Sequence, residues 1–111
     1  MLVGWSSPFG GKTRTRILLA LRLLGESYLR ELARILDVPL SGVQQAIRSL
    51  EVDGLVAGRS MGRTRVFRID PRYFAYDELQ QYLLRLTEPE NRLRDRIATL
   101  RRRPRRTGKR L

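Results

Sequence analysis

Between residues 41 and 69 the spacing of apolar residues changes period, and that change narrows the folds open to the chain more than any other feature. Val43, Ala46, Ile47 and Leu50 recur at i, i+3, i+4 and i+7, which is the stripe of an amphipathic helix. Gly54 follows, at the place where a left-handed residue ends such a helix. Leu55 to Arg59 and Thr64 to Ile69 then form two short runs joined by Ser60-Met61-Gly62-Arg63. Phe67 and Ile69 alternate with Arg68, as a half-buried strand requires, and Gly62 can take the positive φ of a hairpin turn. A helix over 41–53 thus feeds directly into an antiparallel hairpin.

The flanking segments read as further helices. Lys12 to Leu24 predicts a first helix, with Ile17, Leu18, Leu21 and Leu24 on one face and Gly25 ending it. Leu29, Leu32, Ala33 and Leu36 predict a shorter second helix, stopped by Asp37 and Val38-Pro39. Asp70-Pro71 breaks the hairpin, and Leu79, Tyr82, Leu83 and Leu86 mark a fourth helix from about Tyr73. Thr87-Glu88-Pro89-Glu90 has the spacing of a capping box with proline in the first turn, which predicts a fifth helix there. Its stripe of Leu93, Ile97 and Leu100 is thin and ringed by charge, closer to a coiled-coil seam than to a core face. The fold class is mostly α with a β-hairpin (α+β). Residues 1–11 form an N-terminal arm that packs Trp5 or Phe9 on the body, 12–72 the main unit, 73–100 a helical extension, and 101–111 a basic tail.

At 111 residues the chain is one domain. Its 23 Lys and Arg against 11 Asp and Glu leave a net charge of +12, which predicts attraction to a polyanion. A membrane partner is not expected, because the longest apolar run, Ile17 to Leu21, is far short of a span, and no signal or lipidation motif stands in the sequence. The expectation is a cytoplasmic, nucleoid-associated protein. The sequence has no Cys and no His, so thiolate and imidazole ligands, disulfides and Cys/His catalysis are excluded. Asp77, Glu78, Glu88 and Glu90 read as charges in the first turns of helices rather than as an acid/base pair. No cofactor, no metal and no enzymatic activity are expected. The last eleven residues, RRRPRRTGKRL, carry seven basic residues and no acid, and without them the net charge falls to +5. Such a run is expected to be disordered when unbound.

The segment SSPFGGKT, Ser6 to Thr13, resembles a phosphate-binding loop at the mouth of a helix. The pattern needs a glycine where Ser6 stands, and it needs a parallel sheet around it that the chain does not supply. It is better read as the entry to the first helix, with Lys12 and Arg14 near a nucleic-acid backbone.

Helix, short helix, turn, helix and hairpin is the order of a winged helix-turn-helix. The stretch YLRELARILDVPLSGVQQAIRSLEVDGLVAGRSMGRTRVFRID, Tyr28 to Asp70, closely resembles the DNA-binding core of ArsR-type and MarR-type winged-helix regulators, and it covers 43 of the 111 residues. LRELARIL, VQQAIRSLEVDGLV and GRTRVFRIDP carry the resemblance together. The lead PFGGKTRTRIL also looks like the entry to the first helix in small stand-alone members of this group, some of which are encoded beside nucleotidyltransferases. Independently of that likeness, burial of Val43, Ala46, Ile47 and Leu50 turns Ser41, Gln44, Gln45 and Arg48 outward. Such a face fits a major groove, where Gln pairs with adenine and Arg with guanine, although Gln and Arg are also ordinary solvated helix formers. Arg59, Arg63, Arg65 and Arg68 surround the hairpin turn and are expected to reach phosphates or the minor groove. Charge on an exposed β-edge also discourages aggregation, and one or two of the four can serve that end.

Two features depart from the group. Pro39 stands where related sequences commonly place a Ser or Thr cap, so Ser41 is the alternative cap, which shortens the helix by a turn and leaves a base-reading role for Leu40 and Gly42 open. Metal-sensing relatives hold their effector through Cys and His, which are absent, so no metal-sensor role carries over. What the resemblance implies is a sequence-specific regulator of double-stranded DNA, a repressor, working as a homodimer on half-sites roughly 34 Å apart. Leu79, Tyr82, Leu83, Leu86, Leu93, Ile97 and Leu100 are the expected dimer interface; alternatively, helix four packs back on helix one and helix five continues into solvent. Other functions open to the sequence are a non-regulatory DNA- or RNA-binding scaffold and a partner that controls a neighbouring enzyme.

Overall fold

The computed structural model describes residues 8–102. In chain order they form α1 (Lys12–Leu24), β1 (Ser27–Tyr28), α2 (Leu29–Leu36), α3 (Leu40–Val52), β2 (Val56–Met61), β3 (Thr64–Ile69), α4 (Tyr76–Leu86) and α5 (Asn91–Arg102). The expectations for Trp5 and for the basic run from 103 to 111 lie outside the described residues. Phe9 packs against the body, its ring 5.9 Å from that of Tyr82.

The middle of α1 is covered on every side. Thr15 and the whole run Ile17 to Leu21 are buried, as happens to a helix that is apolar all round. The expected stripe of Ile17, Leu18 and Leu21 is present, but α4 and α5 return to α1 as α2, α3 and β3 do, so Leu19 and Ala20 are buried as well. Asp37 ends α2 in the left-handed region at φ 57°, with the Val38 N–H donating to the Ala33 carbonyl at 3.1 Å. Pro39 then stands at the head of α3, and its carbonyl accepts from the Gly42 and Val43 N–H groups at 3.0 and 3.2 Å. The helix therefore opens at Leu40 without a side-chain cap. Ser41 is not the cap; it sits in the first turn with its side chain exposed.

The hairpin is longer and tighter than expected. Met61 pairs with Thr64, which leaves only Gly62 and Arg63 in the turn. Gly62 has φ 64° and Arg63 is not among the residues of positive φ, the φ pattern of a type II′ turn that suits the twist of a hairpin. Ser27 and Tyr28 add a third strand by pairing with Phe67 and Val66. A two-residue strand is too short to show alternation in a sequence. Val66, Phe67 and Ile69 are buried.

The C-terminal third departs most from expectation. The Asp70 carboxylate accepts the Arg72 N–H at 2.9 Å and the Asp70 carbonyl accepts the Tyr73 N–H at 3.0 Å, so residues 70–73 turn and α4 starts only at Tyr76. The Arg72 N–H and guanidinium hold the Asp70 carboxyl below its ordinary range, against the opposing effect of its burial. Thr87 does not open the fifth helix as a capping box. Its hydroxyl donates to the Leu84 carbonyl at 2.6 Å and closes α4, and α5 begins at Asn91.

The proposed dimer seam is instead internal packing. Leu79, Leu83, Leu93 and Ile97 are buried in the core of this chain, Leu86 and Leu100 are half-buried against that core, and Tyr82 is 47% exposed. Helix four does pack on α1, but α5 lies on α1 and α2 rather than in solvent. A thin stripe suffices because arginines fasten the helix. Arg96 donates to the Ile35 carbonyl at 2.6 Å and Arg101 to the Leu23 carbonyl at 2.8 Å, both in the last turns of helices, where carbonyls lack intrahelical partners and cations are favoured.

Candidate nucleic-acid interface

Burial of Val43, Ile47 and Leu50 fixes the rotation of α3. Ser41, Gln44, Gln45 and Arg48 are all exposed on its outer side, and none of their side chains hydrogen-bonds or forms an ion pair within the described residues. Leu40, 37% exposed, extends this face to the first residue of the helix. The missing side-chain cap thus adds a position that the sequence had left open.

The hairpin is tied to the other end of α3. Arg65 lies over the Phe67 ring, its guanidinium carbon 5.1 Å from the centroid, and meets Glu51 at 3.3 Å. Gly58, paired with Phe67 across the ladder, makes room for this arrangement, since a Cβ there would collide with the guanidinium and come within 2.8 Å of the ring. Between hairpin and helix runs a groove of about 280 Å³ lined by Leu29, Gln44, Ile47, Arg48, Glu51, Arg65 and Phe67. Two of the outward residues of α3 therefore share a wall with the wing.

The four wing arginines do not form one cluster. Arg65 is engaged by Glu51, and Arg59 by Glu26 at 2.8 Å. The ladder opposes Arg59 to Val66 and Arg68 to Ala57, which puts Arg59 and Arg68 on the face away from Arg65. Arg63 in the turn and Arg68 on that outer face make no ion pair among the described residues. Alternation within β3 predicts this split, but the engagement by Glu26 and Glu51 depends on tertiary contacts.

Arg14 is not a free phosphate ligand either. Its guanidinium donates to the Phe9 carbonyl and the Ser49 hydroxyl, both at 2.5 Å, and to Asp53 at 2.7 Å. It joins the lead segment and α1 to the last turn of α3. Lys12 is exposed at the first position of α1, two residues before Arg14. The sequence reading missed Arg30 and Arg34. Both are exposed on α2, and Arg30, Ala33, Arg34 and Leu40 line a hollow of about 280 Å³ between the two helices. Their i, i+4 spacing within LRELARIL was the available signal.

No helix among the described residues is long and apolar enough to cross a membrane, and no three acidic residues there gather as a cation site.

Three helices with α3 facing outward, followed by a hairpin lying against it, define a winged helix-turn-helix. Neither a family model nor a curated protein matches the chain. Solved structures do. Mutant forms of ZitR from Lactococcus lactis align with TM-scores of 0.54 and 0.56 at 17% and 14% identity, over 71% and 90% of this chain and 63% and 80% of theirs. The adhesin competence repressor AdcR from Streptococcus pyogenes aligns at 0.51 with 22% identity, over 79% of this chain and 76% of its own. In two of the ZitR alignments the chain spans less than two thirds of its counterpart, 63% and 57%. The likeness is one of fold, and it agrees with the class expected from the sequence.

Proposed function

We propose that the chain is a sequence-specific double-stranded DNA-binding transcriptional regulator, a repressor without enzymatic activity, which lays α3 in the major groove. The observation that carries this reading is the uncommitted polar side of α3, Ser41, Gln44, Gln45 and Arg48, beside the wing. In the groove Gln44 and Gln45 match adenine, Arg48 guanine, and Ser41 either a base or a phosphate. Arg63 and Arg68 contact the backbone or the minor groove from the hairpin, with Lys12, at the start of α1, on the backbone. The likeness to a protein named a repressor supports the reading. Control by a metal held on thiolates or imidazoles lies outside it, since the sequence has neither Cys nor His.

Two copies on a two-fold site belong to the same proposal, because one module reads only a half-site. In this reading the joining surface does not draw on Leu79, Leu83, Leu93 and Ile97, which are buried in the chain's own core. Selection of bound duplexes from a random pool tests the reading. The protein is expected to enrich one short motif, and Gln45→Ala with Arg48→Ala to lose that preference while keeping its helical circular dichroism, each base pair read costing about 1–3 kcal/mol. An unchanged preference in the double variant rejects α3 as the reader. Equal binding to every duplex favours the non-regulatory clamp.

A further inference from the structure

We propose that a second surface, running from the front of α3 across α2 to α5, contacts the phosphates that flank the base-reading segment. The proposal rests on the reading above only in taking duplex DNA as the partner.

Arg34 carries the argument, because it lines two hollows. One, with Arg30, Ala33 and Leu40, opens at the first residue of α3. The other, about 420 Å³, lies between α2 and α5 and is lined by Glu31, Arg34, Ile35, Arg92, Asp95, Arg96, Thr99 and Leu100. A row of cations therefore leads from Leu40 over Arg30 and Arg34 to Arg92. None of these three arginines makes an ion pair among the described residues, where Arg14, Arg59, Arg65, Arg72 and Arg85 each have an acid within reach. The acids beside the row neutralise only part of it. Glu31, which accepts the Ser27 hydroxyl at 2.6 Å, and Asp95 line the hollow between α2 and α5 with Arg34, Arg92 and Arg96, so cations outnumber acids there even with Arg96 turned to the Ile35 carbonyl.

Like charges held together repel one another, and a phosphate row relieves that repulsion while releasing counterions. A duplex is the partner that the geometry favours, because the row begins where the reading face begins. When a recognition helix sits in the groove, the helix before it crosses the backbone, and α5, fastened to α2, extends that crossing along the strand. An acidic protein would need no continuity with α3. The helix that the sequence suggested as a dimer seam thus becomes an arm of the DNA surface.

The test uses the full chain and a mixed-sequence duplex of 30 base pairs, so it does not depend on knowing the preferred site. Affinity is measured against salt concentration for the wild type and for Arg34→Ala with Arg92→Ala. The slope of log affinity on log salt is expected to fall by about 0.9 for each arginine, to return with Lys at both positions, and to leave the preference for any selected motif unchanged. Asp95→Asn is expected to tighten binding. Hydroxyl-radical cleavage on a selected site is expected to lose protection on the same flank of each half-site and to keep it over the base-reading segment. An unchanged slope in a variant of normal helicity overturns the proposal, as does a loss that Lys does not restore. Loss of motif preference on changing α3, with the slope of the Arg34 and Arg92 variant still reduced, would separate the two readings.

Discussion

Replacing Arg14 by Ala separates a structural arginine from a DNA-binding one. The side chain is 18% exposed and bonds at once to the Phe9 carbonyl, the Ser49 hydroxyl and Asp53. Hydrogen bonds to a charged donor contribute about 1.5–3 kcal/mol each. The ion pair with Asp53, which is 50% exposed, adds only about 0–1 kcal/mol after solvent screening. The three share one guanidinium and are not additive, so Arg14→Ala is expected to cost about 2–4 kcal/mol. With roughly 4 °C of Tm lost per kcal/mol for a chain of this size, the midpoint falls by roughly 8–16 °C. Arg14→Lys rescues little, because an ammonium cannot span three acceptors set by a planar fork. Thermal circular dichroism measures the loss. Binding to a duplex, measured well below the midpoint, is expected to keep the salt dependence of the wild type, whereas loss of a phosphate contact lowers the slope by about 0.9. A wild-type midpoint together with a reduced slope would refute the structural assignment and return Arg14 to the DNA surface.

Leu93→Ala is expected to cost about 2–5 kcal/mol in urea titrations at any protein concentration, since Leu93 lies in this chain's own core; a loss confined to high concentration would mark an interface. Gly58→Ala collides with the guanidinium of Arg65 and the Phe67 ring and is expected to destabilise by about 1–3 kcal/mol, with the Arg65 side-chain resonances losing their ring-current shift. Thr15→Val removes a buried hydroxyl that has no hydrogen-bond partner among the described residues and is expected to stabilise by about 1 kcal/mol, read as a higher Tm. The folded-state pKa of Asp70 is depressed, so its contribution is complete above the unfolded value near 3.8 and disappears as the pH falls through the lower folded value. The stability gap between wild type and Asp70→Asn is therefore expected to hold at neutral pH and to narrow below about 3.8, as followed by denaturant titration.

The order of elements was legible because period and punctuation agree within each one. The bounds of α1 and α2 coincide with the expected ones, and burial of Val43, Ile47 and Leu50 turned Gln44, Gln45 and Arg48 outward as read. What failed was the identity of partners. An apolar stripe says that a face will be covered, not by what, and Leu93 and Ile97 found α1 and α2 of their own chain. Arginine is equally ambiguous. Arg14, Arg59 and Arg65 match Arg63 and Arg68 in composition, and only tertiary placement brings Asp53, Glu26 and Glu51 within reach of the first three. Thr87 shows the same limit locally, since Thr-x-x-Glu fits a helix start, yet the hydroxyl found a closer acceptor in the turn behind it.

The burial of α1 on every side has a bearing on how the molecule is made. This helix leaves the ribosome before any of its five neighbours, and its last wall, α5, is translated after the other four. Until then the Ile17 to Leu21 run offers apolar surface to chaperones or to other nascent copies. Truncation within α5 therefore does more than shorten the molecule: it removes one side of the enclosure around its first helix and lowers the cooperativity with which the remainder closes.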